Sequence, residues 1–327
     1  MRFAGFATFV AAMATAVIAH AADNDHFRSR ITLFDVASGK TTVLFTDDAV
    51  WEAPNWAPDG QSLLANSQGT LYRIPVTGPD AGHPKAIPMG DLRCNNDKAY
   101  TRDGGKIAAS CGVGSMRDSF VYVVDKDGVA RTGDARRMTP ATPSYFHGWS
   151  PDSQWLSFVA KRDGAQTYNL YRVPVGGPVD GSAEQRLTNI AASDDGPDYS
   201  PDGRWIYINS DRQGGWDIWR LPADGAGPNE SRAQRVTHDA LEDWFPHPSP
   251  DGRHLLMLSF PAGTRTHDGR IPGVQLRLMD LPGDGAPKAD APIRSLLTFF
   301  GGQGSLNVNS WSPDSQRFAF VSYEPLP

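Results

Sequence analysis

The sequence predicts an all-β fold: a six-bladed β-propeller with four-stranded blades. Three observations predict it. A Pro-Asp-Gly/Ser unit recurs along the chain, a strand-like apolar run follows each copy, and the last copy lacks two strands that the N-terminus can supply. The full copies are Trp56-Ala57-Pro58-Asp59-Gly60, Trp149-Ser150-Pro151-Asp152-Ser153, Tyr199-Ser200-Pro201-Asp202-Gly203, Pro248-Ser249-Pro250-Asp251-Gly252 and Trp311-Ser312-Pro313-Asp314-Ser315. A degenerate copy, Tyr100-Thr101-Arg102-Asp103-Gly104, fills the remaining gap. The aspartates fall at 59, 103, 152, 202, 251 and 314, in steps of 44, 49, 50, 49 and 63 residues.

Each unit reads as a tight hairpin. Pro presets φ at the second turn position, Asp bonds its own backbone, and Gly tolerates a positive φ. The strands that follow are Trp155–Val159, Trp205–Ile208, Leu255–Leu258 and Phe318–Val321, rich in β-branched and aromatic residues. A further strand follows each: Leu71–Ile74, Val121–Val124, Leu170–Val173, Ile218–Leu221 and Leu276–Met279. After Trp311 the chain has room for only two strands. Arg30–Asp35 and Lys40–Phe45, flanking a Gly39 turn, supply the outer half of that last blade and tie the ring shut. The propeller domain is therefore expected from about residue 27 to 324. Cys94 and Cys111 lie at similar distances from the Asp103-Gly104 turn, so they can face each other as a disulfide or pack as two thiols.

Composition bounds the function less tightly than the fold. The 327 residues carry a net charge of −6 with no Lys/Arg block, which argues against a nucleic-acid partner. Residues 1–21 pair one Arg with a short Ala-rich apolar run and end in Ala19-His20-Ala21, the pattern of a cleaved secretory signal peptide. No later apolar stretch approaches the roughly 20 residues that span a bilayer, so a membrane span is not expected after cleavage, and a monomer is.

Candidate chemistry collects at one mouth of the central channel, where the innermost strands begin. Glu52, Asn96, His147, Asp194, Asp195, Trp244, His247 and Asn307 lie in those segments. The long loop Pro261–Gly273 adds His267, Asp268 and Arg270, and Arg162 and Arg212 sit on equivalent loops. Aromatic faces beside carboxylates and amides suit a glycan or a peptide. No cofactor is required by any motif. His147, His247, His267 and Glu242 are the candidate ligands for a divalent metal, although no compact ligand spacing supports one. Asp194 and Asp195 against Glu242 and Asp243 are the alternative, as acid and base on a glycosidic bond; Asp195, Glu242 and Asp243 are the catalytic candidates.

The repeats, and Asn209-Ser210-Asp211-Arg212-Gln213-Gly214-Gly215-Trp216-Asp217-Ile218-Trp219 in particular, resemble the PD40 propeller repeats of TolB-like proteins. The resemblance implies a periplasmic binding module, with an envelope protein or a glycan as partner. It covers the propeller alone, since the first strand follows the predicted cleavage site within about ten residues, leaving no room for TolB's leading α/β domain. The repeats are also similar to those beside the hydrolase domain of prolyl-oligopeptidase-type proteases. That domain needs a G-x-S-x-G elbow, and Gly148-Trp149-Ser150-Pro151-Asp152 fails at its last position. Oligogalacturonate lyases, which build a metal–histidine site on a propeller, supply the resemblance behind the enzyme alternative.

Overall fold

The structure is a computed structural model and describes residues 26–282, 287 and 291–327. Segment 1–21, expected from the sequence to be a signal peptide, lies outside the described residues. The chain opens with β1 (Phe27–Asp35) and β2 (Thr41–Asp47). Five four-stranded antiparallel sheets follow. Blade one holds β3 (Glu52–Trp56), β4 (Ser62–Ser67), β5 (Thr70–Pro75) and β6 (Lys85–Ala86). Blade two holds β7 (Leu92–Tyr100), β8 (Lys106–Val113), β9 (Phe120–Asp125) and β10 (Arg136–Arg137). Blade three comprises β11 (Ser144–Trp149), β12 (Trp155–Ala160), β13 (Asn169–Pro174) and β14 (Gln185–Arg186), and blade four β15 (Asp194–Tyr199), β16 (Trp205–Ser210), β17 (Asp217–Pro222) and β18 (Gln234–Arg235). Blade five has β19 (Glu242–Pro248), β20 (His254–Phe260), β21 (Ile271–Asp280) and β22 (Ile293–Gly301).

The ring closes as the sequence predicts. The last strand, β23 (Arg317–Pro325), pairs with β1 over nine residues from Phe27↔Pro325 to Asp35↔Arg317, and β1 pairs with β2. The innermost element of this sixth blade is reduced to a single bridge, Trp311↔Phe318. Asn309 explains part of this shortening, because its side chain rather than a neighbouring strand accepts the Trp311 N–H. Helix among the described residues is confined to three short 3-10 turns, and no helix there is long and apolar enough to cross a membrane.

The recurring turn is built by side chains. Ser150 donates its hydroxyl to Asp152 Oδ1 at 2.6 Å and accepts the Trp155 N–H at 2.9 Å, while the same carboxylate accepts the Gln154 N–H. Thr101, Ser200, Ser249 and Ser312 repeat the hydroxyl-to-Asp bond at 2.6 Å. The Ser150 hydroxyl holds the Asp152 carboxyl below its ordinary pKa. Blade one departs: Ala57 offers no hydroxyl, and Asp59 keeps only the bond from the Gln61 N–H. The aromatic residue before the turn enters the seam between blades. Trp149 and Trp311 are buried and donate their indole N–H to Ala99 O and His247 O of the preceding blade, at 3.1 and 3.0 Å. Burying such a ring contributes about 2–3 kcal/mol. Of two further tryptophans, Trp219 is buried, and Trp205 is half-buried with the Arg220 guanidinium 4.0 Å over its ring.

Candidate functional site

At the face opposite these turns, each innermost strand starts at the channel mouth. β3, β15 and β19 begin with a bulge, visible as a register shift against the second strand. A residue with positive φ sits in each: Ala53 (49°), Gly196 (59°) and Phe245 (52°). Bulges re-aim the neighbouring side chains. Only glycine fits at 196, where a Cβ would stand 2.6 Å from Asn209 Oδ1. Phe245 is the unusual case, a fully buried aromatic in a conformation that costs about 1–3 kcal/mol. It is held there partly by its N–H, which donates to Asn209 Oδ1 at 3.1 Å.

The rings on either side of Phe245 belong to two histidines, His147 stacked at 6.2 Å and His267 edge-on at 5.3 Å. Both meet Asp195. His147 Nε2 is 3.0 Å from Asp195 Oδ1 and 4.0 Å from Asp97 Oδ1, and His267 Nε2 is 3.6 Å from Asp195 Oδ2. Burial alone depresses His147, but the Asp97 and Asp195 carboxylates outweigh it and leave its pKa raised. For His267 burial wins over the same carboxylates, and its pKa is lowered. The two acids separate likewise. Burial drives Asp97 up despite His147, whereas at Asp195 the His147 charge and hydrogen bond overcome burial and drive it down. Asp97 is further fixed by Asn307 Nδ2 at 2.5 Å and Asn95 Nδ2 at 2.7 Å.

A second pair closes the opposite side of the mouth. Glu52 accepts from Arg270 at 3.1 Å and from Asn66 Nδ2 at 3.2 Å. Lys98, with no exposed surface, places Nζ within hydrogen-bond distance of Ala53 O (2.5 Å), Asn66 Oδ1 (2.8 Å), Glu52 O (3.2 Å) and Asn96 O (3.4 Å). Burial brings its pKa down to about 7, against the pull of Glu52 and Asp97. Trp244 packs at a tilt against Trp216 at 3.8 Å and against His267 at 4.2 Å. Tyr145 and Tyr168 add half-buried rings 5.8 Å apart.

The structure thus brings together Glu52, Asn96, His147, Asp195, Trp244, His267 and Asn307, together with the loop from Pro261. The other candidates sit in separate networks. His247 spends both ring nitrogens, on Asp198 Oδ2 at 3.1 Å and Leu306 O at 3.0 Å. Asp194 and Arg212 pair with each other at 2.8 Å, and Arg212 also reaches Glu230. Arg162 is paired in the same way, with Glu184 at 2.9 Å. Glu242 accepts the backbone N–H groups of Trp216 and Gly263. Asp243 is fully buried between Ser259 and Arg277, and burial pushes its pKa up to about 7 against the Arg277 charge. The four candidate metal ligands therefore do not converge, and among the described residues no group of three or more His, Cys, Asp or Glu side chains is disposed to hold a metal ion. Asp97 and Lys98 were missed as site residues. They lie just ahead of the degenerate copy, six and five positions before Asp103, and Lys98 stands where His147 stands before Asp152, a match that would have pointed to it and its neighbour. At the mouth end of blade two, Cys94 and Cys111 are directly opposed in the β7–β8 ladder and joined by a disulfide.

Fold and mouth define a β-propeller of PD40 repeats whose channel entrance is lined by ionisable and aromatic side chains. Residues 132–270 match the family model described as PD40, the TolB beta propeller domain. An uncharacterized protein of Agrobacterium fabrum, Atu1656, is 40% identical over 300 residues, 91% of this chain and 94% of that one. The solved structure of a TolB-like protein from Agrobacterium tumefaciens is 39% identical with a TM-score of 0.80, covering 92% of this chain and 99% of that one. TolB from Acinetobacter baumannii shares the fold at 16% identity and a TM-score of 0.58, over 84% of this chain and 64% of that one. The chain belongs to the TolB-like β-propeller family.

Proposed function

We propose that this chain is an exported binding module of the bacterial envelope and that a partner protein docks on its channel mouth. The observation that carries the reading is the buried Asp97–His147–Asp195 cluster beside Phe245, whose positive φ is a strain of the kind that gathers at binding sites. The Cys94–Cys111 disulfide supports an oxidising compartment, and the leader-like residues 1–21 support export to the periplasm. The test uses the purified chain as bait in a cross-linked envelope extract. His147→Ala and Asp195→Asn should lose the protein that wild type captures, and Arg102→Ala on the opposite face should keep it. Undiminished capture by both mouth variants ends this reading.

A carbohydrate-active enzyme is the second reading. It is favoured by two carboxylates facing one histidine, Asp97 shifted up and Asp195 shifted down, as an acid and a base are in a hydrolytic pair. Release of new sugar ends from envelope polysaccharides, abolished by Asp195→Asn, would support it. No release from any glycan tried, together with partner capture at the mouth, would reject it.

A further inference from the structure

The loop between β20 and β21, residues 261–270, lies across the mouth and is fastened there by two inward side chains and two hydrogen bonds of its backbone. None of its residues is fully buried, and Ala262, Gly263, Arg265, Thr266, Asp268 and Gly269 are exposed. Two side chains reach inward. His267 meets Asp195 at 3.6 Å with its ring against Trp244 and Phe245. Arg270 meets Glu52 at 3.1 Å, its guanidinium 4.7 Å over the ring of Tyr323 and 5.4 Å over that of Phe27. The backbone adds two bonds, from the Gln303 N–H to His267 O and from the Gly263 N–H to Glu242 Oε1. Each inward group is a planar nitrogen base between a carboxylate and aromatic faces, and the two are three residues apart. Beneath the loop the indole N–H of Trp244, 1% exposed, has no acceptor. A largely exposed segment held by these four contacts opens more readily than the blades below it.

We propose that residues 261–270 act as a self-ligand: they occupy the mouth in cis, and a partner enters by putting a basic, extended segment of its own in their place. This rests on the reading of the mouth as the docking face. Charge complementarity selects the occupant. Once the loop lifts, Glu52 and Asp195 face solvent on opposite sides of the mouth without the cation and the imidazole that now cover them, beside rings that stack on guanidinium groups. An acidic or purely apolar segment would leave Glu52 with the Asn66 amide and Asp195 with His147, and neither with the basic group the loop now supplies.

The test uses the whole purified chain and a fluorescent synthetic peptide with the loop's own sequence, Thr-Arg-Thr-His-Asp-Gly-Arg-Ile, supplied in trans. A control peptide carries Glu at the His and Arg positions. Wild type should bind the basic peptide weakly, and the His267→Ala/Arg270→Ala chain at least about tenfold more tightly. Adding Glu52→Gln and Asp195→Asn should erase the gain, and the control should not bind. Because Arg270 also packs on Tyr323, His267→Ala alone provides a milder variant, with folding of each checked by circular dichroism. Equal affinity of wild type and both released variants for the basic peptide, or equal binding of the two peptides, overturns the proposal. If envelope capture is at the same time still lost in His147→Ala, the docking reading stands and only the self-ligand fails. If capture persists there, the docking reading fails first.

Discussion

The two faces of the ring use similar residues to opposite ends. On the turn face, the aspartate of every blade but the first makes the same short bonds: a hydroxyl two residues before it and an amide two residues after it, as at Ser150, Asp152 and Gln154. On the mouth face the blades differ, and only blades two and six share a residue type, asparagine. The position seven residues before each aspartate reads Glu52, Asn96, Tyr145, Asp195, Trp244 and Asn307. A repeated carboxylate satisfied by its own turn is structural. Unlike carboxylates from different blades, forced together with histidines and a strained aromatic, are where the ring departs from its own rule.

The largest effect should come from loosening the mouth end of blade two. Replacing Cys94 and Cys111 by Ser together removes a link that closes a 17-residue separation and should cost about 3 kcal/mol in urea denaturation. A loss below about 1 kcal/mol would mean the hairpin ladder alone holds that edge.

Next is the carboxylate at the centre of the mouth. Asp195→Asn removes a charge-assisted bond worth about 2 kcal/mol, and it should also change how stability depends on pH. Because the folded pKa of His147 is raised above 6.5, the stability it contributes is complete below that value and is lost as pH rises through the folded pKa. Wild type should therefore lose more melting temperature than Asp195→Asn as pH climbs from 6 toward 9. Lys98, whose pKa is depressed, works in the opposite sense in both proteins and drops out, so the difference between them reports the groups that Asp195 touches, His147 first among them. Parallel profiles would show that Asp195 does not set the His147 charge.

On the turn face the effects should be smaller and should reverse with the chemistry. Ser150→Ala should cost about 1 kcal/mol and Ala57→Ser should gain a comparable amount, because it gives blade one the hydroxyl that the other five possess. If Ala57→Ser leaves the unfolding midpoint unmoved, the repeated bond is not a source of stability. The smallest change concerns the turn residue itself. Ser153 sits at φ 57°, where Gly60, Gly104, Gly203 and Gly252 stand in four other blades, so Ser153→Gly should gain about 0.5 kcal/mol. Ser315, at φ 60°, also accepts the Asp251 N–H, so Ser315→Gly should gain less or lose.

The architecture was legible because a turn is a local event: Pro, Asp and Gly specify it within five residues, and six copies leave few ways to close a ring. That Cys94 and Cys111 can face each other was legible for the same reason, since similar distances from one turn bring two residues together, but that they are bridged came from the structure. The reach of the loop to the mouth, with His267 and Arg270, also followed from strand order. What resisted was which polar residues meet. His247 and His147 sit in comparable segments, yet a one-residue offset relative to the aspartate sends His247 to Asp198 and Leu306 O and His147 to Asp195. Arg212 and Asp194 look like ligand groups in a linear reading, and the fold spends them on each other.

The sequence by itself determined the number of blades, the closing of β23 on β1 and the identity of the turn aspartates, all through short-range hydrogen bonding and a period-two apolar pattern. Only the tertiary structure decided that Asp97, His147, Asp195 and His267, drawn from blades two to five, share one buried cluster while His247, Glu242 and Asp243 do not. The reason is physical. Bulges at the start of the inner strands rotate side chains by amounts that no local pattern encodes, and the charge of each group is then set by neighbours far away in the chain.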